Sequence, residues 1–201
     1  MNRSLVIIVI ILIAIVGGVV WTFSAERDAE EQAAQEQATQ TDAERFAEEY
    51  PQTPENNRFV YVTSQEIVEV FESGTGLVFL GFPECPWCQV ITPILHEAAV
   101  AENLDEIYYY NIREDREGNN PVYQQLVEKL EEHLRTDEDG IPRIFVPDIT
   151  AVRDGEIVGR FEQEQADEGE EVTPDTFWAE ERTARGVEQI QSIIRETQNN
   201  Q

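Results

Sequence analysis

Gly76-Leu-Val-Phe-Leu-Gly-Phe-Pro-Glu-Cys-Pro-Trp-Cys-Gln89 decides how this chain is read. The stretch up to Phe82 is a continuous apolar run of strand length, as a central strand buried on both faces requires. Pro83 and Glu84 break the run, and Cys85-Pro86-Trp87-Cys88 then opens a helix expected to reach about Glu102. Pro86 falls in the first helical turn, where its missing N–H would have been unpaired anyway. The start of a helix carries partial positive charge and free N–H groups, and both favour a thiolate. Cys85 is expected to be the more exposed sulfur and the nucleophile. Cys88, one turn further in, is expected to resolve the mixed disulfide; an exchange centre needs both roles.

The neighbouring segments extend the pattern. Phe59-Val60-Tyr61-Val62 reads as a short strand. Thr63 and Glu66 form a capping-box pattern ahead of a helix with Ile67, Val70 and Phe71 on one face. Residues 107–112, rich in Tyr and Ile, predict another strand. Residues 121–134 predict a helix with Val122, Leu126, Leu130 and Leu134 inward. Asp139-Gly140 turns the chain, and Ile144-Phe145-Val146 reads as a strand. Asp154-Gly155, between two alternating runs, is a strong hairpin signal. A last helix is expected over 177–197, with Val187, Ile190 and Ile194 inward. The order βα–βαβ–α–ββα predicts an α/β chain: a mixed sheet with helices on both faces.

There are only two cysteines, too few for a disulfide scaffold or for a closed tetrahedral zinc site within one chain. The other readings of the pair are half a metal site completed by a second chain, or a structural disulfide. The only histidines, His96 and His133, are not at ligand spacing from the pair; they read as packing or solvated residues. A disulfide closing so short a ring stabilises little through loop entropy. Redox use of the pair is the stronger reading, and it calls for no cofactor and no metal.

Gly81-Phe-Pro-Glu-Cys-Pro-Trp-Cys-Gln89 after an apolar strand, followed by Gly140-Ile141-Pro142 before another strand and a hairpin, resembles the thioredoxin superfamily. The resemblance covers about residues 58–197. Within the superfamily the chain looks nearest to small bacterial thioredoxin-like proteins such as the bacteriocin transport accessory type. The resemblance implies a thioredoxin-like mixed sheet flanked by helices and thiol–disulfide exchange at Cys85 and Cys88. It also implies a cis-proline at Pro142 lying against the pair, with Ile141 influencing substrate choice. Trp87 is either a substrate-facing platform or an aromatic half-packed on the fold. The chain departs from the family's reductases in two ways. Pro86-Trp87 stands where they carry Gly-Pro, and Phe79-Leu80-Gly81 lacks their buried carboxylate. Glu84 is expected as an exposed neighbour that raises the Cys85 pKa. Oxidation, reduction and isomerisation all remain open on these residues.

Residues 4–23 carry no charge and are long enough to span about 30 Å as a helix, the thickness of a bilayer's hydrocarbon core. An uncleaved transmembrane anchor over residues 1–25 is favoured over a cleaved signal peptide, because the run is long and no small-x-small site follows it. Arg3 before the run and Glu26, Asp28, Glu30 and Glu31 after it place the rest of the chain outside the cytoplasm. Residues 26–57 read as an acidic stalk and residues 58–201 as the domain. The net charge of −27, with Lys129 the only lysine, argues against nucleic acid as a partner. Such an acidic, lysine-poor surface also suits high salt or high pH. Two functions follow. The first is a membrane-anchored extracytoplasmic oxidoreductase acting on protein thiols and disulfides, with a membrane electron donor or acceptor as a possible partner. The second is a thioredoxin-shaped binding or assembly module of a membrane or transport complex, with incidental thiols.

Overall fold

A computed structural model describes residues 40–164, 166 and 171–199. Its elements are α1 (Asp42–Glu49), β1 (Phe59–Tyr61), α2 (Ser64–Ser73), β2 (Gly76–Gly81), α3 (Pro86–Ala101), β3 (Ile107–Asn111), α4 (Arg113–Gly118) and α5 (Pro121–Leu130). They continue with β4 (Arg135–Thr136), β5 (Pro142–Arg143), β6 (Asp148–Arg153), β7 (Glu156–Arg160), α6 (Pro174–Phe177) and α7 (Glu180–Gln198). The expected membrane segment lies outside the described residues, among which no helix is long and apolar enough to cross a membrane.

Five strands form a mixed sheet in the order β1-β3-β2-β6-β7. β1, β3 and β2 run parallel; β6 pairs antiparallel with β2, and β7 antiparallel with β6. β2 is central and buried at every residue, as its unbroken apolar run requires. Side chains alternate across a strand, so β2 feeds two cores. Leu77 and Phe79 join Ile91, Leu95, Tyr109, Ile190 and Ile194 on one face. Val78 and Leu80 join Ile67, Phe71, Leu126 and Leu130 on the other. Helices therefore cover both faces, and the α/β expectation holds at this level.

Local signals placed several elements. Thr63 caps α2 through Glu66 N–H at 3.2 Å, and the Glu66 carboxylate accepts Thr63 N–H at 2.7 Å. Asp154 and Gly155 take positive φ of 52° and 79° and turn β6 into β7. A side chain at Gly155 would also meet the Glu72 carbonyl, 2.2 Å from an ideal Cβ.

Other boundaries differ from the sequence expectation. The folded unit begins at Asp42 and not near residue 58. The cause is α1 and the residue that follows it: Phe46 and Tyr50 are fully buried against Phe59, Phe79 and Tyr109. The Phe46 ring stacks on Phe59 at 3.8 Å and on Tyr50 at 4.3 Å between centroids. Asn57 then ties the connection down by donating to the Ala43 and Pro54 carbonyls at 2.7 and 2.8 Å. α5 stops at Leu130 and a 3-10 turn, Glu131–His133, follows it. Residues 144–146 are not a strand. Ile144 N–H donates to the Tyr123 hydroxyl at 3.3 Å, and the strand starts only after Pro147, at Asp148.

Candidate functional site at the start of α3

The site is built at the carboxyl end of β2. Cys85 is the N-cap of α3, with extended backbone at φ −82° and ψ 112°, and Pro86 opens the helix. An N-cap side chain meets the first free N–H groups of its helix. Cys85 Sγ accepts the Cys88 N–H at 3.2 Å, while the Cys85 carbonyl accepts the N–H of Cys88 and Gln89 at 3.0 and 3.1 Å. Behind it, Cys85 N–H donates to the Phe82 carbonyl at 3.1 Å. Both thiols are free; Cys85 is 7% exposed and Cys88 is sealed at 0%.

These surroundings separate the two thiols. The Cys85 thiol is brought down to about 7, chiefly by a hydrogen bond with the Cys88 side chain. The backbone N–H groups of Cys88 and Trp87 and the charge of Arg116 act in the same direction, against partial burial. The Cys88 thiol moves the opposite way, because burial penalises its charged form and it would share the site with a Cys85 thiolate. The arrangement thus presents one ionisable, slightly exposed sulfur and one protonated, sealed sulfur beneath it. Among the described residues Cys88 is packed in an apolar cluster with Phe79, Tyr50 and Tyr109. Tyr50 donates to the Tyr109 hydroxyl at 3.1 Å, and both phenols are held protonated mainly by burial.

Across from the thiols the chain passes through Val146 and Pro147. The Val146 carbonyl lies 3.9 Å from Cys85 Sγ, at the outer reach of a thiol hydrogen bond. The only cis peptide bond among the described residues joins these two residues. This corrects the expectation for Ile141 and Pro142. Pro142 is in β5, paired with Thr136 of β4, and Ile141 is 59% exposed at the hairpin turn. Asp137 holds that turn: its carboxylate accepts the N–H of Asp139 and Ile141, both at 3.0 Å. Trp87 is where the sequence expects it, next to the thiols. It packs edge-on against Phe177 at 5.5 Å and lines a hollow of about 540 Å³ together with Val146, Pro147 and Phe161. It is therefore both half-packed and open to that hollow.

Glu84 is exposed, as expected, and its carboxylate pairs with Arg113 at 2.7 Å. The nearby charge that acts on Cys85 is Arg116 of α4, whose guanidinium stacks over Phe82 at 4.9 Å. Gln89 is a further residue of the site. Its amide donates to the Pro83 carbonyl at 2.7 Å and to the Glu49 carbonyl at 2.9 Å, fixing the loop before Cys85 to the end of α1. Its place directly after Cys88 marked it in sequence. Nothing local marked Arg116 or Val146, which tertiary packing brings in.

Asp148 and Arg160 brace the wall opposite the thiols. Asp148 is buried and accepts from Thr150 Oγ1 at 2.7 Å and from the Arg160 guanidinium. Arg160 also donates to the His133 carbonyl, which joins the end of the 3-10 turn to β7. No group of three or more His, Cys, Asp or Glu side chains able to hold a metal ion is assembled among the described residues. Compared with protein-family models, curated proteins and solved structures, the chain finds no match.

Proposed function

We propose that this protein is a thioredoxin-like thiol–disulfide oxidoreductase, anchored in the membrane by residues 1–25 and acting outside the cytoplasm on protein thiols and disulfides. The observation that carries the reading is the contrast between the thiols. Cys85 Sγ sits at a helix N-terminus with the Cys88 N–H at 3.2 Å and an ionisation near 7, whereas Cys88 is buried and protonated. A structural disulfide or an inert buried pair has no need of that asymmetry. The sheet order and the helix that follows the central strand agree with the resemblance in the sequence. Val146 and Pro147 take the place expected of Ile141 and Pro142.

In the reducing direction, the Cys85 thiolate attacks one sulfur of a substrate disulfide. A Cys85–substrate bond forms, the substrate S–S bond breaks, and the departing thiolate takes up a proton. Cys88 then loses its proton and attacks Cys85 Sγ. The intramolecular disulfide forms, the Cys85–substrate bond breaks, and the second substrate sulfur leaves as a thiolate that takes up a proton from solvent in place of the one Cys88 released. One dithiol is oxidised and one disulfide reduced. The oxidising direction is the same sequence reversed, and the reduction potential chooses between them.

The test is equilibration of the full-length protein in detergent against glutathione, with the Cys85/Cys88 state read by alkylation. A single two-electron transition within the range of about −270 to about −120 mV is expected for an exchange catalyst. A pair that stays reduced throughout, or that is oxidised only between chains, would sink the reading.

A further inference from the structure

The chain carries 41 acidic residues against 14 Lys and Arg, yet two of its arginines, Arg116 of α4 and Arg143 of β5, line one hollow near Cys85. Arg143, after desolvation, is the main influence opposing the charge on Arg116. Among the described residues neither guanidinium is in an ion pair. Arg116 Nε is buried without a hydrogen-bond partner. The Phe82 ring and the Cys85 thiolate offset part of the Arg116 charge, and an anion held between the two guanidiniums would offset the rest.

The two arginines line a shallow, open depression of about 530 Å³ with Thr136 and Phe145. Asp137 also borders it, but its carboxylate is occupied by the backbone of its own turn; Glu138 is at the exposed rim. Arg143 and Phe145 line the Trp87 hollow as well, so the two hollows share a wall. Phe145 stands 38% exposed at their junction, one residue before the Val146 carbonyl that touches Cys85. Arg116 stacks over Phe82, whose carbonyl accepts the Cys85 N–H, and Arg143 lies three residues before Val146, so both guanidiniums are placed on segments that meet the thiol.

We propose that Arg116 and Arg143 form a carboxylate subsite, which selects polypeptide disulfides carrying Asp or Glu beside the reacting cysteine. A planar carboxylate matches the forked guanidinium donors. The inference rests on the exchange chemistry proposed above. The overall charge of −27 makes the opposite forecast, since it draws in basic peptides. The sign of the preference therefore discriminates.

The experiment uses reduced full-length protein and two peptides that differ only in Glu or Lys on both sides of one cysteine. Each peptide is blocked as a mixed disulfide with 2-mercaptoethanol, a neutral leaving group, and a neutral dipyridyl disulfide is run in parallel. Rates are compared at about 20 mM and about 0.5 M salt, which brackets weak and strong screening. The Glu peptide is expected to react roughly three- to tenfold faster at low salt, the range for charge-assisted contacts at a half-exposed site. The ratio should fall toward one at high salt and invert in Arg143→Glu. A wild-type ratio at or below one overturns the subsite, and so does a ratio that Arg143→Glu leaves unchanged. The wild-type ratio and its salt dependence decide the matter even if that variant fails to fold. If neither peptide nor the dipyridyl disulfide reacts faster than free cysteine, the exchange reading falls and the subsite with it.

Discussion

Cys85 and Cys88 share a helix turn and a chemistry, yet their surroundings pull them apart. Cys85 accepts hydrogen bonds at the open end of α3, whereas Cys88 lies beneath it among Phe79, Tyr50 and Tyr109. A lowered thiol pKa means that the thiolate persists down to about pH 7 and protonates below it. Alkylation of the reduced protein by iodoacetamide should therefore rise through about pH 7 and level off above it. Cys85→Ser should abolish the fast phase, and a midpoint in the ordinary range of about 8.5 would contradict the N-cap geometry. A second residue-scale expectation concerns Asp148. It is buried, so removing the Arg160 guanidinium strands a carboxylate and removing Asp148 strands a partly buried cation. Asp148→Ala should cost about 3 kcal/mol, read from the urea midpoint at constant slope. A loss below about 1 kcal/mol would show that the pair is solvated and not a brace.

At the scale of elements, α1 is the part that the sequence reading placed wrongly. Phe46 and Tyr50 are four residues apart, on one face of a helix, but Ala, Glu and Gln surround them and the stretch resembled a solvated stalk. The rings find partners only when β1, β2 and β3 bring Phe59, Phe79 and Tyr109 together. Phe46→Ala should cost about 3–5 kcal/mol, the usual penalty for an emptied aromatic site. Its loss should also loosen the Gln89 tether to Glu49 and with it the loop before Cys85. Denaturation of the variant checks the first effect, and its iodoacetamide rate checks the second. An undiminished midpoint would return α1 to the role of a stalk. The β6–β7 turn is the converse case, legible from Asp154-Gly155 alone. Gly155→Ala combines a positive φ with backbone crowding at Glu72, so a loss of about 2 kcal/mol or more is expected in the same assay. A near-neutral result would mean that the turn relaxes away from α2.

For the molecule as a whole, charge is the dominant feature. A chain at −27 repels itself when compact, and salt screens that repulsion. Raising the salt from low to molar should lift the thermal midpoint by roughly 3–6 °C, equivalent to about 1–2 kcal/mol. A midpoint indifferent to salt would mean that the acidic residues are too well separated to matter, and the high-salt habitat would lose its support. Function at this scale is tested in cells. Cys88→Ala leaves the nucleophile without its resolving partner and should accumulate mixed disulfides between the protein and its clients. If no such adduct forms and the double cysteine variant keeps its phenotype, the assembly-module reading takes over.

The sequence alone determined what local rules control. The unbroken apolar run of β2 required burial on both faces, the Cys-Pro-Trp-Cys pattern required a helix start, and Thr63 with Glu66 and Asp154 with Gly155 set a cap and a turn. Each depends on neighbours a few residues apart, so no knowledge of packing was needed. Tertiary structure decided which distant residues meet. It set the Val146 carbonyl against Cys85 and Ile141 and Pro142 out on a hairpin. It turned Glu84 toward Arg113 and brought Arg116 to the thiols. Those placements depend on how β4 and β5 pair, where β6 starts and which faces the helices cover. They are fixed by the summed burial of many side chains and by the hydrogen-bond needs of buried backbone, quantities that no short stretch of the chain encodes.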